Sequence, residues 1–212
     1  MPHDFNKPNL LLDLDQTLIS AEPTEEINME KYKEKHSLFR SDNMEDYYII
    51  YSRPHLQNFL DYAFKNFNVS VWTAASKDYA LFIIEKILLN NQQERKLDFI
   101  FFSYHCDVSK KEKKYSKELC MLWDVYKLPG YSKDNTVIID DYKADVHKCQ
   151  PNLCVIAPPF EFREDNSDKD TFLVDLIPEL DKMLERINSK EKIVLTGEID
   201  IATSVNKNLK SN

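Results

Sequence analysis

The sequence contains only two glycines among its 212 residues, Gly130 and Gly197. The phosphate loops of P-loop and dinucleotide-binding proteins need several glycines within one turn, because their backbone must approach the phosphates closely. The scarcity of glycine therefore excludes both kinds of loop. Any phosphate that this protein binds must be held by side chains and by the N-termini of helices.

Cysteine and long apolar runs are also scarce. The four cysteines are Cys106, Cys120, Cys149 and Cys154, and no two of them form a CxxC pair. Without a recognisable signal peptide, this pattern predicts reduced thiols in an intracellular, soluble protein of the nucleus or cytoplasm. No apolar run approaches the roughly 20 residues that a membrane-spanning helix needs, so we expect no membrane association.

A zinc site is the alternative use of these cysteines. His105-Cys106 with Cys120, or His147 with Cys149, would supply ligands of the right type. Their spacing matches none of the usual zinc-binding patterns, so the sequence does not favour such a site.

Basic residues are fewer than acidic ones, and the formal net charge is −8. Such a chain has no bulk attraction to nucleic acid, and we expect no direct nucleic-acid binding. Segment 107–114 concentrates four lysines and is predicted to be an exposed basic loop. A solvated loop is its simplest interpretation, and a contact with a substrate or partner is the alternative.

Short apolar runs alternate with helical patterns along the chain. The runs predicted to be strands of one sheet are 9–13, 69–73, 98–102, 136–140 and 153–157. Helices are predicted after Pro54, from Lys77, from about Ser116 and over 170–187. Strands alternating with helices predict an α/β fold: a Rossmann-like, doubly wound, mainly parallel five-stranded sheet with helices on both faces.

The long polar stretch from Leu18 to about Met44 interrupts this alternation. It is too long for an ordinary connection and is followed by a short predicted strand at 47–51, so we expect a small insertion over the active face. No large cap is predicted. Residues 1–188 are expected to form one domain, a monomer, and 189–212 a loosely ordered tail.

Polar side chains end three of the predicted strands: Asp13 and Asp15 the first, Thr73 the second, and Asp140-Asp141 the fourth. Singly, each has a simpler explanation, as a helix N-cap, a turn residue or a solvated turn. Together at one sheet edge, the four carboxylates would repel by roughly 4 kcal/mol per pair at about 4 Å. A divalent cation would relieve this repulsion, and all-oxygen ligands favour Mg²⁺ over Zn²⁺.

The same residues carry a resemblance to a known family. Asp13-Leu-Asp15-Gln-Thr17 resembles the DxDxT motif of the haloacid dehalogenase superfamily. Segments 52–56 and 71–80 are similar to the "RPH…FL" and "TAS…YA" segments of the FCP/SCP phosphatases, which dephosphorylate serine in the C-terminal repeats of RNA polymerase II. Segments 115–119, 137–141, 150–152 and 176–180 also have counterparts there. The resemblance covers residues 9–187 in order.

This resemblance implies a role for each residue. Asp13 would be the nucleophile that becomes phosphorylated, and Asp15 the general acid and base. Thr73 and Lys117 would hold the phosphoryl oxygens. Mg²⁺ would be bound by Asp13, by the main-chain carbonyl of Asp15 and by Asp141, with Asp140 as a further ligand or as a neighbour of the ligands. Thr17 would fix the loop.

The function so implied is a Mg²⁺-dependent protein serine/threonine phosphatase that forms a phosphoaspartate. Its substrate would be a phosphorylated protein or peptide, with the polymerase repeats as one candidate. Two alternatives stay open. One is a phosphatase of a small phosphorylated metabolite, and the other is a catalytically silent phosphoprotein-binding module, like the related mitochondrial translocase subunit.

Overall fold

The computed structural model describes residues 3–188, and the predicted tail at 189–212 lies outside them. The strands are β1 (Asn9–Leu12), β2 (Ile19–Pro23), β3 (Ser41–Met44), β4 (Tyr48–Ser52), β5 (Asn68–Trp72), β6 (Leu97–Phe101), β7 (Thr136–Asp140) and β8 (Cys154–Ile156). The helices are α1 (Lys33–His36), α2 (Leu56–Asn66), α3 (Lys77–Ile83), α4 (Ser103–Glu112) and α5 (Phe172–Asn188). Wider turns of the π type lie at Ile84–Leu89, Met121–Val125 and Lys143–His147.

The larger sheet has the strand order β6-β5-β1-β7-β8, and all its neighbouring pairs are parallel. β1 lies at its centre. The chain first builds outward from β1 through β5 and β6, and later adds β7 and β8 on the other side. The carboxyl end of β1 is therefore the point where the strand order reverses, which is where open α/β sheets bind their ligands.

Helices cover both faces of this sheet, so its central strand is buried from end to end. Leu10 and Leu12 pack into the core beneath α2, α3 and α5, whereas Leu11 packs on the other face with Trp72 and Leu122. Burial on both faces explains why β1 is a continuous apolar run rather than an alternating one. The predicted fold, a mainly parallel five-stranded sheet with helices on both faces, is confirmed.

The insertion after β1 is a second sheet. It is antiparallel and has the order β2-β4-β3. β4 lies close to the strand predicted at 47–51, while β2 and β3 are not recognisable in the sequence because they are rich in polar residues. The turn from β3 to β4 passes through Glu45 and Asp46, which both adopt positive φ angles without glycine.

Two local predictions are wrong. The segment 107–114 is not a basic loop throughout, because α4 continues to Glu112. Only Cys106 and Ser109 of that helix are buried, so it lacks the apolar stripe by which a helix is recognised. The helix predicted from about Ser116 begins only at Cys120, and the residues before it form turns.

Among residues 3–188, no helix combines the length and apolar character needed to cross a membrane.

Candidate active site

The predicted site residues gather at the carboxyl edge of the larger sheet. In the register of the three central strands, Leu12 lies beside Val71 and Ile139. The next residues along, Asp13 and Asp140, therefore become neighbours at this edge, and Thr73 follows β5 directly. The pairing of β1 with β7 continues one residue beyond β1, where the amide of Asp13 donates to the carbonyl of Ile139 at 3.0 Å.

Lys117 reaches the same edge from the irregular segment after α4. Its Nζ donates to Oδ1 of Asp13 and to Oδ2 of Asp140, both at 2.6 Å. All three residues are buried, with 4%, 5% and 1% of Lys117, Asp13 and Asp140 exposed. We call Asp13, Thr73, Lys117 and Asp140 the buried edge.

Burial and charge together determine the protonation of this cluster. Burial raises the pKa of the Asp13 carboxyl, Asp140 raises it further, and Lys117 opposes both. Burial alone would lower the pKa of Lys117, but the carboxylates of Asp13 and Asp140 more than offset this, so its pKa is raised. The lysine is therefore a firmly held cation between two carboxyl groups.

A group of three carboxylates at this edge could hold a metal ion. Oxygens of Asp13, Asp140 and Asp141 lie within 4.8 Å of one another. Adding Asp15, four carboxylates face the single ammonium of Lys117, an excess of three negative charges when all are ionised. An excess of charge on all-oxygen ligands fits a divalent cation such as Mg²⁺.

Asp140, the last residue of β7, and Asp141, the next residue, differ in the hydrogen bonds that their carboxylate oxygens accept. Asp140 accepts from Lys117 with one oxygen and from the amide of Tyr142, at 2.8 Å, with the other. Asp141 is only half-buried, and within residues 3–188 its carboxylate accepts one long hydrogen bond, at 3.4 Å from Thr17. The carboxylate of Asp141 is therefore the better placed of the two to bind a metal, and that of Asp140 to hold the lysine.

Thr17 joins the two sides of this carboxylate group. Its hydroxyl lies 3.3 Å from Oδ2 of Asp13 and 3.4 Å from Oδ1 of Asp141, and the residue is fully buried. A hydroxyl has one proton to donate, so it can serve either oxygen but not both at once. These contacts place Thr17 beside two of the predicted metal ligands.

Asp15 lies outside the ion-paired cluster and has a partner of its own. The hydroxyl of Tyr79, in the first turn of α3, donates to Oδ1 of Asp15 at 2.5 Å. Burial raises the pKa of Asp15, while the hydrogen bond from Tyr79 and the charge of Lys117 lower it; the net direction is upward. The same contact and burial raise the pKa of Tyr79, so the phenol remains the proton donor.

Arg53 supports the loop that follows β1 and carries Asp13 and Asp15. Its guanidinium donates to the carbonyl of Thr17 at 2.9 Å and forms a two-point ion pair with Asp170, at 2.9 and 2.7 Å. Only 1% of Arg53 is exposed, and the ring of Phe172 lies 4.5 Å from the guanidinium carbon. A buried arginine whose charge is paired and whose three guanidinium nitrogens each donate one hydrogen bond makes a rigid support for the loop.

Two cavities open on either side of Asp15. One, of about 480 Å³, is lined mainly by Met44, Tyr47, Tyr48 and Tyr79, and we call it the aromatic cleft. The other, of about 370 Å³, has an acidic wall that includes Glu22, Glu26 and Glu161, with Arg163 paired to Glu22 at 2.6 Å. Asp15 thus lies at the boundary between the carboxyl edge of the larger sheet and the surface of the inserted smaller sheet.

The structure brings Asp13, Asp15, Asp140, Asp141 and Lys117 together, and places Thr73 at the same edge. The hydroxyl oxygen of Thr73 accepts a hydrogen bond from the amide of Ala75 at 3.1 Å, so the hydroxyl proton of Thr73 can still be donated to another acceptor. The contacts of Tyr79 and Arg53 were not predicted from the sequence. Both lie in segments that carry the family resemblance, and that was the available signal.

The alternative zinc groupings do not form a site within residues 3–188, where Asp13, Asp140 and Asp141 are the only metal-ligand cluster found.

The family model of the NLI interacting factor-like phosphatases matches residues 8–192. The chain is 49% identical over 180 residues to the CTD phosphatase-like protein 355R of Invertebrate iridescent virus 6, covering 83% of this chain and 98% of that protein. It is 42% identical over 174 residues to the protein of the same description from Invertebrate iridescent virus 3, covering 79% and 92%.

Among solved structures, the chain is similar to the RNA polymerase II CTD phosphatase Fcp1 of fission yeast bound to beryllium fluoride. The TM-score is 0.52 at 18% identity, over 88% of this chain and 54% of the other, so this chain spans about half the length of that one. At such identity the likeness establishes the fold, which is the haloacid dehalogenase-like one. Family membership supports a phosphoric monoester hydrolase, and the chain belongs to the NLI interacting factor-like phosphatases.

Proposed function

We propose that this protein is a Mg²⁺-dependent protein serine/threonine phosphatase that works through a phosphoaspartate on Asp13. One observation carries the proposal: Asp13 sits at the reversal point of the sheet, bonded to a buried lysine, with Asp15 two residues further on. An acceptor, a cation and a second carboxyl group are the parts that covalent phosphoryl transfer needs.

Asp13 would attack through the oxygen that is not bonded to Lys117. That oxygen forms the new bond to phosphorus as the bond to the serine or threonine oxygen breaks, and the departing oxygen takes a proton from Asp15. Asp15 then removes a proton from water, the water oxygen attacks phosphorus, and the bond to Asp13 breaks. Free phosphate leaves, and Asp15 again carries the proton with which the cycle began.

Lys117 and Thr73 would bind the phosphoryl oxygens during both steps. The ammonium of Lys117 donates to carboxylates on both sides and has a third N–H for a phosphoryl oxygen. Thr73 still has its hydroxyl proton to donate. Because these donors are held in place before the reaction, they stabilise the charge of the transition state without having to reorganise.

Asp13, Asp141 and the main-chain carbonyl of Asp15 would hold Mg²⁺, and Asp140 would act chiefly as the partner of Lys117. The crowding of carboxylate oxygens supports this assignment. When bound, the ion would neutralise charge on the phosphoryl oxygens. Tyr79 would keep the Asp15 carboxyl turned toward the leaving group through its hydrogen bond.

The substrate side of the proposal rests on the aromatic cleft. Its tyrosines are accessible, with 70% of Tyr47 and 37% of Tyr48 exposed, and the cleft joins the site at Asp15. Such a surface suits an extended peptide next to the phosphorylated residue better than a small, highly polar metabolite. The relatives described as CTD phosphatase-like make the repeats of RNA polymerase II a candidate peptide.

A substrate panel tests the proposal. The purified chain would be assayed with and without Mg²⁺ on an aryl phosphate, on phosphoserine peptides, including polymerase repeats, and on sugar phosphates. We expect turnover that requires Mg²⁺, with kcat/KM highest for peptides. A preference for sugar phosphates would contradict the substrate class, and absence of turnover on every substrate would favour a binding module.

A further inference from the structure

The segment that carries Lys117 has no regular structure to hold it. α4 ends at Glu112 and the next helical turn begins at Cys120, and residues 114–117 between them make none of the backbone hydrogen bonds of a helix or a strand. Yet Lys117 is 4% exposed and its Nζ contacts two carboxylates at 2.6 Å. A lysine with four rotatable bonds holds such a position only if its backbone is fixed by other means.

The side-chain amide of Gln150 fixes this backbone at two points. Its Nε2 donates to the carbonyl of Lys117 at 2.8 Å, and its Oε1 accepts from the amide of Leu119, also at 2.8 Å. The pattern needs a donor and an acceptor on one planar group, and a primary amide supplies both. The carboxylate of Glu118 and the hydroxyl of Ser109 bond the backbone at Tyr115, and Gln150 is the side chain that bonds the backbone at Lys117 itself.

Asp145 holds the residue on the other side of the lysine. Its carboxylate accepts from the amide of Ser116 at 3.1 Å and from the hydroxyl of Ser116 at 2.8 Å. Asp145 and Gln150 both belong to the segment that follows β7, a strand that ends at Asp140 and is followed directly by Asp141. One stretch of chain therefore supplies acidic groups of the site and the supports of the lysine that faces them.

We propose that Gln150 and Asp145 are positioning residues that set the distance of the Lys117 ammonium from Asp13 and Asp140. The inference rests on the proposed function, since it takes Lys117 to bind the transferred phosphoryl group. Gln150 is the main support, because its amide bonds the backbone of Lys117 itself. Asp145 adds to it by fixing the preceding residue.

Replacing Gln150 by methionine tests the inference, because methionine has similar length and neither hydrogen bond. We expect kcat/KM to fall about 10- to 100-fold, the scale of a misplaced catalytic group. Asn152→Leu is the matched control: it removes an exposed amide two residues away and should change kcat/KM less than about twofold. Equal effects of the two substitutions would overturn the inference.

A double-mutant cycle shows whether Gln150 acts through the lysine. If it does, Gln150→Met should cost little once Lys117→Met is present, so the double variant should be about as active as Lys117→Met alone. Losses that multiply would overturn the inference. If Gln150→Met does not fold, Ser116→Ala, which removes only one bond to Asp145, goes through the same cycle with an expected loss of about two- to fivefold.

A readout independent of turnover separates this inference from the proposed function. In protein labelled with ¹³C at lysine Cε, the Lys117 signal is identified by its loss in Lys117→Met. Gln150→Met should shift that signal, and Asn152→Leu should not. A shift in a protein without phosphatase activity would support the positioning and contradict the function. An unmoved signal in an active enzyme would contradict the positioning alone.

Discussion

The buried edge and the aromatic cleft adjoin at Asp15, but they are built in opposite ways. The edge is buried and charged: Lys117 lies between Asp13 and Asp140 with almost no access to solvent. The cleft is open and largely aromatic: Asp78 is its one acidic residue besides Asp15, and Tyr47 and Tyr48 expose much of their surface. Groups that react gain from burial, because their interactions strengthen at low dielectric, whereas groups that recognise a varying partner must be reachable. We expect substitutions at the edge to abolish chemistry and those in the cleft to change selectivity.

The largest expected effect follows from removing the nucleophile. Asp13→Asn keeps the size of the side chain and loses the attacking oxyanion, so turnover should fall at least about 10⁴-fold for every substrate. Asp134→Asn, the same change at an exposed position, should leave turnover intact. The measurement is steady-state hydrolysis of an aryl phosphate and a phosphopeptide. A variant with much of its activity left would disprove the assigned nucleophile.

Lys117→Met should impair both catalysis and folding. We expect a loss of about 10²- to 10³-fold in turnover, because one donor to the phosphoryl oxygens disappears. Without Mg²⁺, the free energy of unfolding in urea should fall by about 3 kcal/mol, because two buried carboxyl groups lose their partner. Lys182→Met, which breaks the surface pair with Glu179, should cost under about 1 kcal/mol. Equal stability losses would refute the contrast between a buried and an exposed ion pair.

Tyr79 lies between the two regions, and its substitution should have an intermediate effect on turnover. Tyr79→Phe keeps the ring in the cleft and removes the hydrogen bond to Asp15, so kcat should fall about tenfold on aryl phosphate and peptide alike. Tyr48→Phe is the control, since its ring packs edge-on against Tyr79 at 5.7 Å and no bond from it to Asp15 is found. If only the peptide reaction suffered in Tyr79→Phe, the hydroxyl would serve recognition rather than the acid.

The smallest effect is expected within the cleft itself. Tyr47→Ala should raise KM for a phosphopeptide about two- to tenfold, the usual contribution of one aromatic contact, with kcat unchanged. Hydrolysis of an aryl phosphate should not change. Loss of aryl phosphate turnover in this variant would mean that the cleft supports the fold of the site and not the choice of substrate.

The contrast between the two regions also explains what the sequence could predict. Leu10, Leu11 and Leu12 are buried on both faces of the sheet, and such strands are readable as apolar runs. The acids that end β1 and β7 then share an edge by the geometry of parallel strands. β2 buries the polar residues Ser20 and Glu22, and β3 is polar and mostly half-buried, so neither strand shows the apolar alternation by which a strand is recognised.

Contacts between distant segments were the other part that could not be predicted. Lys117 was identified by its motif, but the helix expected around it is absent, because Gln150 and Asp145 hold that segment instead. Local propensity contains no information about a partner about 30 residues away. The hydrogen bond from Tyr79 to Asp15 spans 64 residues and was hidden for the same reason.

Trapping the covalent intermediate tests the central claim most directly. The enzyme would be mixed with excess phosphopeptide and Mg²⁺, quenched in acid within one turnover, digested and analysed by mass spectrometry. We predict one added phosphoryl group on the peptide that contains Asp13, absent in Asp13→Asn and decaying at least as fast as kcat. Full turnover with no phosphorylated Asp13 at any time, or phosphate on another residue, would contradict the account.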